Sequence, residues 1–132
     1  MEYTDKTMEH FMCPQNVGSM SDSDATGSYG DPSCGDSLMM FIKVNNNIIK
    51  EISYLVFGCC ASIASASMTS VLAKGKSLEE AEKISEEDVS TALGGLPEIK
   101  KHCSNIGVFA LKTAIKNYKK GVNYENHITS KQ

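Results

Sequence analysis

Ser37-Leu38-Met39-Met40-Phe41-Ile42-Lys43-Val44, then Asn45-Asn46-Asn47, then Ile48-Ile49-Lys50-Glu51-Ile52-Ser53-Tyr54-Leu55-Val56-Phe57 is the stretch that decides the fold. Leu38, Met40, Ile42 and Val44 alternate with Ser37, Met39, Phe41 and Lys43, and a period of two puts the first four on one face of a strand. The three Asn residues read as a turn, because Asn tolerates the left-handed region. The second run is rich in β-branched and aromatic residues and reads as the returning strand of an antiparallel hairpin. Beyond Gly58 the period changes. Ala61, Ala64, Met68, Val71 and Leu72 recur at helical spacing, and Gly75 stands where a C-cap is expected. Ser77 with Glu80 reads as a capping box opening a helix through about Ile84, and Ser85 with Asp88 as the cap of another to about Leu93, before Gly94-Gly95. A last helix is expected from about Cys103 to Lys119, burying Leu111, Ala114, Ile115 and Tyr118 and turning Lys112, Lys116, Lys119 and Lys120 to water. Upstream, a short helix spans about Tyr3 to Met12, capped by Thr4, with Met8, Phe11 and Met12 on one face and Pro14 as its stop. Gln15 to Ser33 is a long polar segment, of which about Ala25 to Tyr29 reads as an edge strand. The fold class is therefore α+β, a small antiparallel sheet packed against helices.

The 132 residues are enough for one domain, expected over 1–120, with 121–132 as a polar tail that frays. All 13 basic residues are Lys, against 16 acidic ones, for a formal charge of -3. A nucleic-acid partner is disfavoured without a basic surplus, and bidentate guanidinium recognition is excluded without Arg. The densest apolar run, Tyr54 to Ala66, is interrupted by Gly58, Ser62 and Ser65 and is too short and polar for a membrane span. The charged start Met1-Glu2-Tyr3-Thr4-Asp5-Lys6 lacks the apolar core of a secretory signal, so a cytoplasmic location is expected.

Five cysteines, Cys13, Cys34, Cys59, Cys60 and Cys103, carry the chemistry. An odd count in a reducing compartment argues against a disulfide framework. Cys34, Cys59 and Cys103 fall at junctions between elements, where residues distant in sequence can converge, whereas a filler cysteine more often occupies a core face. Cys34-Gly35-Asp36 puts a thiol and a carboxylate two apart, on one face of an extended segment. In Lys100-Lys101-His102-Cys103 an imidazole adjoins a thiol, and the two ammonium groups are expected to favour its thiolate. Cys59 stands at a helix N-terminus, where the dipole does the same. Three thiolates, a carboxylate and an imidazole suit tetrahedral zinc or the irons of an Fe–S cluster. No CxxC pair is present, so spacing alone leaves a metal site and buried fillers both open.

The ordered motifs Pro14-x-Asn16-Val17-Gly18, Gly30-x-Pro32-x-Cys34-Gly35-Asp36, Phe57-Gly58-Cys59-x-x-x-Ile63-Ala64-Ser65-x-Ser67, Lys74-Gly75-Lys76-Ser77-x-Glu79-Glu80-Ala81 and Lys100-x-His102-Cys103-Ser104 span most of the chain. In this combination the sequence resembles the IscU/NifU-type iron–sulfur cluster assembly scaffolds, with their SufE/IscU-like fold. The resemblance implies a scaffold and carrier rather than an enzyme. It would accept persulfide sulfur from a cysteine desulfurase, collect iron, build a 2Fe-2S cluster and transfer it to apo iron–sulfur acceptor proteins. It implies Cys34, Cys59 and Cys103 as cluster ligands, Asp36 and His102 as alternative fourth ligands, Cys103 as the persulfide acceptor, and zinc in the cluster-free form. Tyr3 falls where related scaffolds carry a Tyr linked to dimer encounter, and a homodimer is compatible with the ligand supply.

The sequence also departs from that pattern. Cys60 replaces a usual Gly and adds a thiol beside a ligand. Cys13 replaces a common Asn and reads as structural. Leu96-Pro97-Glu98-Ile99-Lys100 has Glu where the chaperone-recognition segment has a second Pro, which weakens an extended conformation and makes a dedicated heat-shock chaperone doubtful. The main alternative is a zinc-dependent sulfur carrier or sulfurtransferase of the SufU type, against which stands the absence of a long insertion between Lys74 and Lys100. A small zinc hydrolase lacks a Glu placed beside a ligand as a general base. His10 is read as a packing or capping residue, and His127 as a solvated residue of the tail.

Overall fold

The computed structural model describes residues 3–31 and 36–121, and Cys34, His127 and the 122–132 part of the expected tail lie outside them. Helix α1 (Asp5–Met12) is followed by strands β1 (Ala25–Asp31), β2 (Asp36–Asn45) and β3 (Ile48–Phe57). Helices α2 (Cys60–Ala73), α3 (Leu78–Glu82) and α4 (Glu86–Ala92), a 3₁₀ helix (Glu98–Ser104) and α5 (Asn105–Lys119) complete the order. The strands form an antiparallel sheet in the order β1-β2-β3. Asn46 and Asn47 take φ of 53° and 64°, a two-residue turn of the type whose twist matches the strands it joins.

Leu38, Met40 and Ile42 of β2 and Ile52 and Tyr54 of β3 are buried in alternation, and a register shift opposite Lys43/Val44 lets Ile49 be buried as well. Helix α5 lies against β1 and β2, and α2 packs on α1, α5 and β3. Two close backbone approaches set these distances. A Cβ at Gly27 would stand 2.3 Å from the Ala110 carbonyl oxygen and 2.3 Å from the Ala114 nitrogen, so β1 meets α5 only because position 27 carries no side chain. At Gly107 a Cβ would meet Thr69 Oγ1 at 2.6 Å, which fixes the α2–α5 contact in the same way.

Both expected capping boxes are present, Ser77 with Glu80 at α3 and Ser85 with Asp88 at α4, although α3 ends sooner than expected, at Glu82. Thr4 caps α1 by accepting from the Thr7 amide at 3.0 Å. The face α1 buries differs from expectation. Thr7 and His10 are buried, while Met12 is 69% exposed and Met8 is also exposed, with Phe11 partly covered. The reason lies in the opposing helix. Helix α2 is buried almost all round and turns Ser62, Ser65, Ser67, Thr69 and Ser70 inward, whereas Val71, expected inside, is exposed. His10 Nδ1 lies 2.6 Å from Ser67 Oγ, and Thr7 Oγ1 donates to the Leu93 carbonyl at 3.3 Å. A polar partner surface selects the polar stripe of α1. The last helix also starts later than expected, because Cys103 belongs to the 3₁₀ helix before it.

Candidate thiolate and metal site

The site is assembled at the end of the sheet where β3 runs out. Gly58 leads from β3 into α2, with Cys59 as the N-cap residue of that helix. The 3₁₀ helix then delivers Cys103 to the same place. Cys59 Sγ and Cys103 Sγ are 3.8 Å apart, near van der Waals contact for two sulfurs, across 44 positions of sequence. Ser62 Oγ is 3.4 Å from Cys59 Sγ, one turn into α2. His102 Nε2 is 3.6 Å from Cys103 Sγ, its ring exposed while the Cys103 side chain is 1% exposed. Asp36 opens β2 and is half-buried, with its carboxylate against Gly58, where a Cβ would stand 2.6 Å from Asp36 Oδ1. Gly58 is thus a space requirement, met by the smallest residue, that lets the carboxylate lie against the junction of β3 and α2. Cys34 belongs to the connection between the paired residues Asp31 and Asp36 and lies outside the described residues. Among the described residues, no group of three or more His, Cys, Asp or Glu side chains is gathered closely enough to hold a metal ion.

The description of the NifU-like N-terminal domain matches residues 2–125. The chain belongs to that family. It is 49% identical over 116 residues to the iron–sulfur cluster assembly scaffold protein IscU 1 of Archaeoglobus fulgidus, covering 88% of this chain and 76% of that relative. Identity to the Aquifex aeolicus scaffold protein IscU is 41% over 119 residues, covering 89% of this chain and 76% of that relative. The fold of this NifU-like domain is shared with the N-terminal NifU-like protein of Brucella abortus, at a TM-score of 0.72 and 13% identity, over 89% of this chain and 94% of the other. It is shared equally with a SUF-system protein of Fervidobacterium islandicum, at a TM-score of 0.70 and 18% identity, over 86% and 96% of the two chains. Among the described residues, no helix is long and apolar enough to cross a membrane.

Cys59 and Cys103 are electrostatically unequal. Burial raises the Cys59 thiol, but the Ser62 hydroxyl and amide, the Cys103 thiol and the Ala61 amide outweigh it, leaving its pKa below the ordinary 9.0. That agrees with the expectation of a favoured thiolate at a helix start. Cys103 goes the other way. Burial pushes it up to about 11, with the charges of Cys59 and Asp36 acting in the same direction. Lys100 acts on the Cys103 charge in the expected sense, but burial of the thiol outweighs it. The Lys100 ammonium interacts first with Cys59, which raises the lysine's own pKa. Lys101 is turned toward Glu98, at 3.7 Å.

Sequence reasoning missed Ser62 and the side to which Lys100 turns. The signal for Ser62 was Cys59-x-x-Ser62, a thiol and a hydroxyl one helical turn apart at a helix start. Tyr3 is partly buried beside the site, its hydroxyl pKa raised by burial and then by the charges of Cys60 and Cys59. Cys60 is half-buried, and burial followed by the Cys59 charge raises its thiol. Cys13 is exposed, away from any core face. Pro97 leads into the 3₁₀ helix with Lys100 N donating to the Pro97 carbonyl at 2.8 Å, so Leu96–Lys100 is coiled and not extended, as Glu98 in place of Pro led one to expect.

Proposed function

We propose that this chain is a scaffold on which a 2Fe-2S cluster is assembled and from which it is passed on. The observation that carries the reading is the 3.8 Å approach of Cys59 and Cys103, at a site edged by Asp36 and His102 and belonging to a family whose relatives are named as cluster scaffolds. The cluster is cargo. Cys34, Cys59 and Cys103 would supply thiolates, and Asp36 or His102 the fourth ligand. Residues 1–120 act as the scaffold unit. Soft thiolates with one hard or intermediate ligand give a labile site, because carboxylate binds iron less tenaciously than thiolate. Zinc, tetrahedral and satisfied by sulfur and nitrogen, fits the same donors in the cluster-free form.

Sulfur would arrive as persulfide from a cysteine desulfurase and be accepted on Cys103, whose neutral thiol lies within reach of the exposed His102 imidazole for proton removal. Apo iron–sulfur proteins would receive the finished cluster. Anaerobic incubation with iron, cysteine and a desulfurase tests this. The scaffold reading requires sulfide-to-iron charge-transfer absorption, acid-labile sulfide in proportion to iron, and transfer to an apo-ferredoxin. Retention of zinc alone, with sulfur handed on and no cluster built, would establish the SufU-type carrier instead.

A further inference from the structure

We propose that Cys59 is the resolving nucleophile that frees sulfide from a Cys103 persulfide, closing a Cys59–Cys103 disulfide in the metal-free chain. This rests on the reading of Cys103 as the sulfur acceptor. Persulfide carries sulfur at the level of elemental sulfur, whereas a cluster needs sulfide, so two electrons per sulfur must be found. The two thiols are already placed to give them. Cys59 Sγ is 3.8 Å from Cys103 Sγ, and Ser62 Oγ, 3.4 Å from Cys59 Sγ on the wholly buried side of α2, limits where that sulfur can swing. At 3.8 Å the two sulfurs are already in contact, and a disulfide bond of about 2 Å is the covalent closure of that contact.

The step balances. Cys59 as thiolate attacks the Cγ-equivalent sulfur atom of Cys103, Sγ; the Cys59 Sγ–Cys103 Sγ bond forms and the bond from Cys103 Sγ to the outer sulfur breaks. The electron pair leaves with the outer sulfur, which departs as hydrosulfide keeping its proton. The two cysteine sulfurs are oxidised to the disulfide and the outer sulfur is reduced to sulfide. One chain gives one sulfide, and a thiol reductant must reopen the disulfide before the next. Attack on the inner sulfur rather than the outer one is what this geometry favours, since Cys59 already faces Sγ, and exchange rates depend on which sulfur is attacked. Cys60, adjacent in sequence, has no such contact with Cys103 among the described hydrogen bonds and sulfur contacts.

The test loads the full metal-free chain with sulfur using a desulfurase and cysteine, removes both by rapid desalting, and follows sulfide release and the thiol state by mass spectrometry. The expected result is release of up to one sulfide per chain with a disulfide mapped to Cys59 and Cys103. Cys59→Ser should hold the extra sulfur on Cys103 and slow release about tenfold or more, whereas Cys60→Ser should release it as the wild type does. The wild-type disulfide map stands by itself should Cys59→Ser fold poorly. Persistence of the Cys103 persulfide in the wild type, movement of the extra sulfur to Cys59, or a disulfide mapped to Cys34 or Cys60 would overturn the proposal alone. A chain that takes no sulfur on Cys103 at all would overturn it together with the acceptor reading beneath it.

Discussion

Gly58→Ala isolates the contact between the sheet end and the thiol site. The new Cβ would stand 2.6 Å from Asp36 Oδ1, 2.9 Å from Ser62 Cβ and 3.2 Å from Ser62 Oγ. Ser62 is wholly buried on α2 and has little room to retreat, whereas the Asp36 carboxylate is the free end of a side chain and can rotate away. Overpacking of this size costs about 1–3 kcal/mol. Against it, Gly58 has an ordinary negative or extended φ, so alanine also narrows the unfolded ensemble and returns about 0.4–1 kcal/mol. The net loss is about 1–2 kcal/mol, a fall in Tm of about 4–8 °C for a domain of this size. The assay is thermal or urea unfolding of the metal-free chain in a cycle with Asp36→Ala. If the Oδ1 contact dominates, the double variant is more stable than the sum of the singles by about 0.5–1 kcal/mol. Strict additivity would place the clash on Ser62, with the Asp36 carboxylate rotated clear, and an unchanged Tm in Gly58→Ala would refute the close packing at this junction altogether.

Asp36→Ala itself should slow cluster transfer to an apo-ferredoxin and lengthen the life of the bound cluster, followed by the decay of its visible absorption, since it removes the harder and more exchangeable ligand; unchanged or faster transfer would contradict that role. Gly27→Ala places a Cβ 2.3 Å from two backbone atoms of α5 and should destabilise by about 3 kcal/mol, read from the urea midpoint. The His10 imidazole is held below its ordinary 6.5, first by burial and then by Lys6, with Glu9 opposing. The unfolded chain therefore takes up a proton before the folded one as pH falls through 6.5, so stability present above that pH is lost below it. The urea midpoint should drop more steeply toward acid pH in the wild type than in His10→Gln, and parallel slopes would refute the assignment. At alkaline pH the sign for Cys103 is opposite to that for a depressed group. With its pKa raised to about 11, the stability it gives is present below 9.0 and lost as pH rises toward 11, a loss that Cys103→Ala should lessen.

The hairpin was legible because Leu38, Met40 and Ile42 alternate on one face and the two turn residues, Asn46 and Asn47, are of the type that takes the left-handed conformation. The capping boxes at Ser77 and Ser85 were legible because the motif is local: both partners lie within one turn. The burial of α1 was not. Its methionines mark an apolar face, and nothing within residues 5–12 reveals that the buried side will meet Ser67 of α2. The same limit applied to the site. That Cys59 and Cys103 belong together came from the motif set, but their unequal ionisation depends on a desolvation that only packing fixes. Lys100 is two residues from His102 and three from Cys103, yet the 3₁₀ helix turns it toward Cys59, which no sequence distance reveals.

Mössbauer spectroscopy of the chain reconstituted anaerobically with isotopically enriched iron and sulfide tests the central claim most directly. A cargo 2Fe-2S cluster held by Cys59 and Cys103 predicts two coupled ferric sites with no net spin, one of them altered when Asp36 or His102 is replaced and both lost in Cys103→Ser. Isolated high-spin iron in oxygen or nitrogen surroundings, unmoved by Cys103→Ser, would contradict it.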